Sequence, residues 1–232
     1  MKAYLSEYLG TTFLLMIVVG SGIMGQSLSD NDSITLLANS IATGSGLIVL
    51  IWMFGKISEA HFNPAVSVVM FANGELSSRN FILYGLLQVS GAISGTLLAN
   101  YMFGLDALQV SVNSRSGLNL YISEVVATFG LLLVILRVRT VRPELVAPAV
   151  GLYINSAYWF TSSTSFANPA VTIGRMFTDT FTGIDPGNVL FFITAQFIGA
   201  FLAFGVNKIL DCLLYTSPSP RDTSSSRMPS SA

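Results

Sequence analysis

His61-Phe62-Asn63-Pro64-Ala65-Val66 and Phe166-Ala167-Asn168-Pro169-Ala170-Val171 carry the same tripeptide, Asn-Pro-Ala, 105 residues apart. Asn is a favoured helix N-cap and Pro is favoured at the first helical position, so each tripeptide reads as the start of a helix. The apolar stretches that follow, Asn63 to Ala72 and Asn168 to Phe177, are about ten residues long and rise only ~15 Å, half the ~30 Å hydrocarbon core of a bilayer. They are expected to dip in and stop, with Asn63, Pro64 and Ala65 starting one half-helix and Asn168, Pro169 and Ala170 the other. Non-helical backbone at that depth is tolerated only where protein covers it or water lines it, which argues for an aqueous path. Two such starts bring two positive dipole ends and two side-chain amides to that path.

The surrounding composition is that of an integral membrane protein. Of 232 residues, 52% are hydrophobic and only 10% charged, and the mean hydropathy is +0.65, which excludes an ordinary water-soluble domain. Six apolar segments approach the ~20 residues of a spanning helix: Tyr4 to Gly25, Ile34 to Phe54, Phe81 to Phe103, Leu120 to Val138, Leu145 to Thr161 and Val189 to Leu210. The first resembles a secretory signal in having Lys2 before it, but its length and Glu7 within it predict an uncleaved span. With the N-terminus inside, Lys2, Lys56, Arg79, Arg137, Arg139, Arg142 and Lys208 are cytoplasmic and only Arg115 and Arg175 lie outside. That bias predicts a multi-pass protein of the cell membrane, inner or plasma, with both termini cytoplasmic.

A net charge of −1 gives no reason to expect a nucleic-acid partner. One cysteine, Cys212, and one histidine, His61, supply no metal cluster. No nucleophile and base pairing and no phosphate loop stands out, so neither an enzyme nor a cofactor is expected.

The chain reads as a duplication. Tyr4-Leu5-Ser6-Glu7 opens the first span and Tyr121-Ile122-Ser123-Glu124 the fourth, and Gln88, Gly91 and Ala92 match Gln196, Gly199 and Ala200. Each half has three spans, an odd number, so the second copy enters the membrane from the opposite side and the repeats are inverted. Glu7 and Glu124 each fall in the same membrane half as their own repeat's re-entrant loop, where a carboxylate accepts hydrogen bonds from unpaired backbone N–H groups. Proton relay is the alternative for an ionisable group within a span. Gly91 and Gly95 form a G-x-x-x-G that reads as close helix packing.

Two Asn-Pro-Ala motifs at corresponding places of an inverted repeat of six spans resemble the aquaporin, or major intrinsic protein, family of channels, over residues 1 to about 210. The resemblance implies an all-α membrane bundle of six tilted helices plus two re-entrant half-helices, usually assembled as a homotetramer with a pore in each subunit. It implies one channel domain over residues 1–210, with repeats at about 1–105 and 118–210. It further implies that Asn63 and Asn168 donate N–H groups to a solute at mid-pore, that Glu7 and Glu124 anchor the loops, and that His61 lines the inner approach. A hydrogen-bonded loop histidine is an equal reading of His61.

Many family members carry an Arg directly after the second Asn-Pro-Ala, where this chain has Val171. By offset from the motifs, the other constriction positions fall at Thr43, twenty residues before Asn63, and at Ser156 and Ser165, twelve and three before Asn168. All four are uncharged and small or medium, which implies a wider neck than in water-selective relatives, where Phe commonly stands at the place of Thr43 and His at that of Ser156. Arg175 lies about 6 Å beyond Val171 and roughly 40° around the half-helix by ideal geometry, within reach of the outer vestibule. The alternative is an interfacial arginine paired with loop carbonyls or a headgroup. Together with GSGIMG at Gly20 to Gly25 and YWFTSSTSFANPAV at Tyr158 to Val171, this neck resembles a bacterial branch of the family associated with arsenic-resistance genes. The implied activity is passive passage of water, glycerol or undissociated metalloid hydroxides such as arsenous acid, with membrane lipid and those solutes as partners and ions and protons excluded.

A strictly water-selective pore is the alternative within the family. An ion-coupled secondary transporter also uses inverted repeats and broken helices, but Glu7, Glu124 and His61 suggest no coupling-ion cluster. From Asp211 the composition turns to Ser and Pro, so residues 211–232 are expected to form a disordered tail. That string also resembles translated sequencing adapter, and the natural chain is expected to differ after about Leu210.

Overall fold

The computed structural model describes residues 1–216. Its order is α1 (Lys2–Leu28), α2 (Asp32–Ser58), α3 (Pro64–Ala72), α4 (Ser78–Met102), α5 (Leu118–Val141), a 3₁₀ turn (Pro143–Leu145), α6 (Val146–Phe160), α7 (Pro169–Arg175) and α8 (Pro186–Thr216). No strand occurs among the described residues.

Five helices, α1, α2, α4, α5 and α8, are long and apolar enough to cross a membrane. The sixth expected span is shorter than the sequence suggests. Pro143 fixes a 3₁₀ turn before it, and the α-helix that follows has 15 residues, rising about 22 Å. At the other end the sequence reading is too short: α8 runs through Asp211, where composition places the start of a disordered tail, to Thr216. The reason is local. Asp211 accepts from Arg137 of α5 at 2.6 Å and from Asn207 one turn earlier at 3.0 Å, which holds the last turns of α8 to the bundle. The rest of that expected tail, residues 217–232, lies outside the described residues.

The duplication is visible in the packing. In the first repeat α1 packs along both α2 and α4; in the second α5 packs along α8 and α6; and α2 meets α6 across the repeats. Gly91 lets α4 touch α1, because a Cβ there would lie 2.5 Å from the Tyr8 carbonyl oxygen, and Gly199 does the same for α8 on α5, 2.3 Å from that of Val125. At Gly95, one turn on, the corresponding distance to the Thr12 carbonyl is 2.2 Å. The half-helices cross over: α3 contacts α8 as well as α4, α7 contacts α4 as well as α8, and α3 and α7 touch each other.

Candidate functional site: a cavity through the bundle

Each half-helix begins as its sequence dictates. Asn63 caps α3, its Oδ1 accepting from Ala65 N–H at 2.9 Å, and Pro64 holds the first helical position. Asn168 caps α7, accepting from Ala170 at 2.9 Å and Val171 at 3.3 Å, with Pro169 in the equivalent place. A capping oxygen leaves the amide nitrogen free to point elsewhere. Asn63 Nδ2 donates to the Ala167 carbonyl and Asn168 Nδ2 to the Phe62 carbonyl, both at 2.8 Å, so the two half-helices meet tip to tip. Each Nδ2 carries two protons and spends one on that bond. Pro64, Ala65, Pro169 and Ala170 are buried but do not line the cavity described below.

The loops leading into these tips are strained alike. Glu59, Ala60 and Phe62 have positive φ, and so do Thr164, Ser165 and Ala167, the same three places 105 residues on. Non-glycine residues in that region cost about 1–3 kcal/mol each and persist only where the surroundings over-determine them. Two buried carboxylates do so. Glu7 accepts from Ser58 Oγ (2.7 Å), the backbone of His61 (3.0 Å) and Phe62 (2.7 Å), and Gln88 Nε2 (2.8 Å). Glu124 accepts from the backbone of Phe166 and Ala167, each at 2.9 Å, and from Gln196 Nε2 at 2.6 Å. Gln88 and Gln196 then reach Ser67 Oγ and Thr172 Oγ1 on the half-helices. Hydrogen bonds to a charged acceptor contribute about 1.5–3 kcal/mol apiece, enough to offset the loop strain.

A cavity of about 450 Å³ threads between the repeats. One end is lined by Lys56, Glu59, His61, Glu75, Arg139 and Glu144, the middle by Asn63 and Asn168. Apolar walls come from Leu14, Leu47, Val66, Leu131, Val150 and Ile154, and the other end from Val18, Thr43, Tyr158, Ser165, Val171 and Arg175. His61 lines the cavity, and its Nδ1 lies 3.1 Å from Ser67 Oγ and its Nε2 3.5 Å from Glu59.

Thr43, Ser165 and Val171 all reach the cavity. Ser156 does not. It is exposed, bonds back to the Leu152 carbonyl at 2.9 Å and faces away from the lining. The cavity face of α6 runs Val146, Val150, Ile154, Tyr158, a four-residue period. Ser156 is two residues from both of the last pair, about 200° around the helix. Tyr158 takes the place, buried, with its hydroxyl 3.2 Å from Thr43 Oγ1. That four-residue period was the signal in the sequence that would have found it.

Arg175 reaches the cavity and is paired with a loop carbonyl, but it is buried rather than interfacial. It is 2% exposed, donates Nε to the Thr182 carbonyl, and lays its guanidinium 3.4 Å from the centre of the Phe166 ring. Arg115, from the α4–α5 connection, approaches the same ring at 5.1 Å. No group of three or more His, Cys, Asp and Glu capable of holding a metal occurs among the described residues.

Apolar helices in an inverted pair of repeats, with two half-helices meeting around a solvent-sized path, define a membrane protein of the pore-forming kind. A family model described as major intrinsic protein matches residues 1–158. The aquaglyceroporin AqpS of Rhizobium meliloti (strain 1021) is 49% identical over 205 residues, 88% of each chain. The aquaporin TIP1-1 of Arabidopsis thaliana is 29% identical over 188 residues, 75% of this chain and 74% of its own. Among solved structures, the aquaglyceroporin from Plasmodium falciparum superposes with a TM-score of 0.76 at 21% identity, covering 93% of this chain and 99% of that one, a likeness of fold. The chain belongs to the major intrinsic protein family.

Proposed function

We propose that the protein is a passive channel for small uncharged solutes, water and glycerol among them, and that the cavity past Asn63 and Asn168 is the path. The observation that carries this reading is a single cavity whose lining includes His61 at one end, both capping asparagines and Arg175 at the other. The second proton of each Nδ2 is a fixed donor there. A solute oxygen bonds to both amides while the apolar walls offer it nothing else, so a water turns its protons outward and a chain of proton-relaying waters is broken at the tips. The N-terminal ends of α3 and α7 carry positive partial charge and oppose cations at the same point.

Thr43, Tyr158, Ser165 and Val171 are the selecting neck in this proposal, with Arg175 at the outer mouth. The 49% identical relative described as an aquaglyceroporin favours glycerol as well as water. The arginine-free position at Val171 extends the range to undissociated metalloid hydroxides such as arsenous acid. Arg175 is the one observation favouring a narrower, water-selective mouth, since its guanidinium does reach the cavity. Glu7 and Glu124 hold the loops, residues 1–210 are the channel domain, the assembly is a homotetramer in the cell membrane, and the excess of inner Lys and Arg puts both termini in the cytoplasm.

Stopped-flow light scattering on proteoliposomes under water, glycerol and arsenous-acid gradients tests the reading. Swelling above empty vesicles is expected with all three. Swelling confined to water establishes the narrow pore, and solute entry that requires a Na⁺ or H⁺ gradient overturns the passive one.

A further inference from the structure

Two arginines meet over Phe166, Arg175 on the cavity and Arg115 behind it, and among the described residues neither is bonded to a carboxylate. Arg115 donates Nε to the Gly183 carbonyl at 2.8 Å and Nη2 to that of Phe181 at 3.0 Å, while Arg175 donates Nε to the Thr182 carbonyl between them. Three consecutive carbonyls are thus taken by two guanidiniums, which fixes both. Neither Nη of Arg175 has a hydrogen-bond partner among the described residues, and Arg175 lines the cavity. Glu124, the nearby carboxylate, has its oxygens taken by the Phe166 and Ala167 backbone and by Gln196 and bonds neither guanidinium. A buried cation with no acceptor on its Nη groups is costly to keep. Its remedy is a ligand rich in acceptor oxygens. The planar fork of a guanidinium matches two oxygens of one carboxylate or tetrahedral oxyanion, and Phe166 beneath Arg175 leaves that fork's edge as the available approach.

We infer that the outer neck is a binding site for a small oxyanion, held by the two Nη groups of Arg175, and that the bound anion obstructs the cavity. Beside the site the lining is Val18, Val171 and Ile154 together with Thr43 and Tyr158, whose hydroxyls face each other at 3.2 Å, and none of these carries a charge to draw the anion onward. The anion therefore stays where the arginine is. The inference rests on the channel reading only for its effect on flux.

The test uses the full chain in a maltoside detergent free of phospholipid, with inorganic phosphate as the probe and chloride at equal ionic strength as the control. A headgroup phosphate is excluded by the detergent and is tested separately by adding short-chain phosphatidic acid. Phosphate is expected to raise the thermal midpoint saturably where chloride does not. Arg175→Gln is expected to abolish the shift, and Arg175→Lys, which keeps the charge but loses the planar fork, to weaken it. In proteoliposomes, external phosphate at its dissociation constant is expected to reduce water flux to about half. A phosphate response no larger than chloride's, or one that survives Arg175→Gln, overturns the site; a shift with undiminished flux overturns the obstruction. A shift from phosphatidic acid alone overturns the free anion as ligand. Because the thermal shift needs no transport, a protein that binds phosphate but passes no solute refutes the channel and leaves the anion site standing.

Discussion

Asn63 and Asn168 each cap their own half-helix with Oδ1 and hold the other's entry loop with Nδ2, through the Ala167 and Phe62 carbonyls, both at 2.8 Å. The relationship is reciprocal, so neither tip can move without releasing a carbonyl of the other. This makes the middle of the cavity the most constrained point along it, which is what a fixed pair of donors requires.

Asn168→Ala removes a cap and a cross-loop bond together and leaves the Phe62 carbonyl unpaired. A loss of about 2 to 4 kcal/mol is expected, seen as a lower thermal midpoint in micelles, with water flux reduced in the fraction that reconstitutes. An unchanged midpoint means that the loops are held by something else.

Glu124→Gln keeps the shape of the side chain but turns an amide toward backbone N–H groups that need an acceptor. The variant is expected to lose at least about 3 kcal/mol, and Glu7→Gln to behave alike because its partners are equivalent. A proton-relay role predicts the opposite pattern, with stable protein and altered proton conductance in a pH-jump assay.

Tyr158→Phe deletes the hydroxyl that meets Thr43 in the neck. One neutral hydrogen bond is worth ~1 kcal/mol, so glycerol permeability is expected to fall about fivefold with water less affected. Ser156→Ala is expected to change neither. If Ser156→Ala alters the glycerol-to-water ratio, the face of α6 assigned to the cavity is wrong.

At the His61 end of the cavity, Arg139 grips Glu75 through two bonds of 2.6 and 2.7 Å, and that guanidinium holds the Glu75 carboxyl below its ordinary value. A carboxylate depressed in the folded state contributes stability that is present above its ordinary value and lost as pH falls through the folded one. Glu75→Gln is therefore expected to lower the thermal midpoint at pH 7, by at most about 1 kcal/mol for a pair this exposed. The gap to the parent protein should close as pH falls below 4.5, the group's ordinary value. A gap that widens on acidification contradicts the assignment.

The half-helices and the duplication were legible because they rest on local chemistry. Asn followed by Pro starts a helix whatever surrounds it, and Glu7 and Glu124 repeat with their loops. In the neck, Thr43, Ser165 and Val171 fall on the cavity wall where offset from the motifs placed them and Ser156 does not, because its place depends on the length and path of the segment between α6 and Asn168. Counting twelve residues back to Ser156 presumes the path taken in relatives, and α6 here turns Tyr158 inward instead. Arg175 was placed by ideal helix geometry within reach of the vestibule, but nothing local to it foretells the stack on Phe166 or the Phe181 to Gly183 carbonyls. The reciprocal bonds of Asn63 and Asn168 join loops more than a hundred residues apart and only the folded chain brings them together.

Thiol modification tests most directly whether solute passes through this cavity. In a Cys212→Ser background, Val171→Cys and Ser156→Cys proteins are treated with a methanethiosulfonate reagent in proteoliposomes, and water flux is followed by light scattering. Flux is expected to drop to the empty-vesicle level at position 171, on the cavity wall, and to persist at position 156, on the far face of α6. Full flux through the modified protein at 171, or loss of flux on modification at 156, would place the path outside the cavity between the two asparagines.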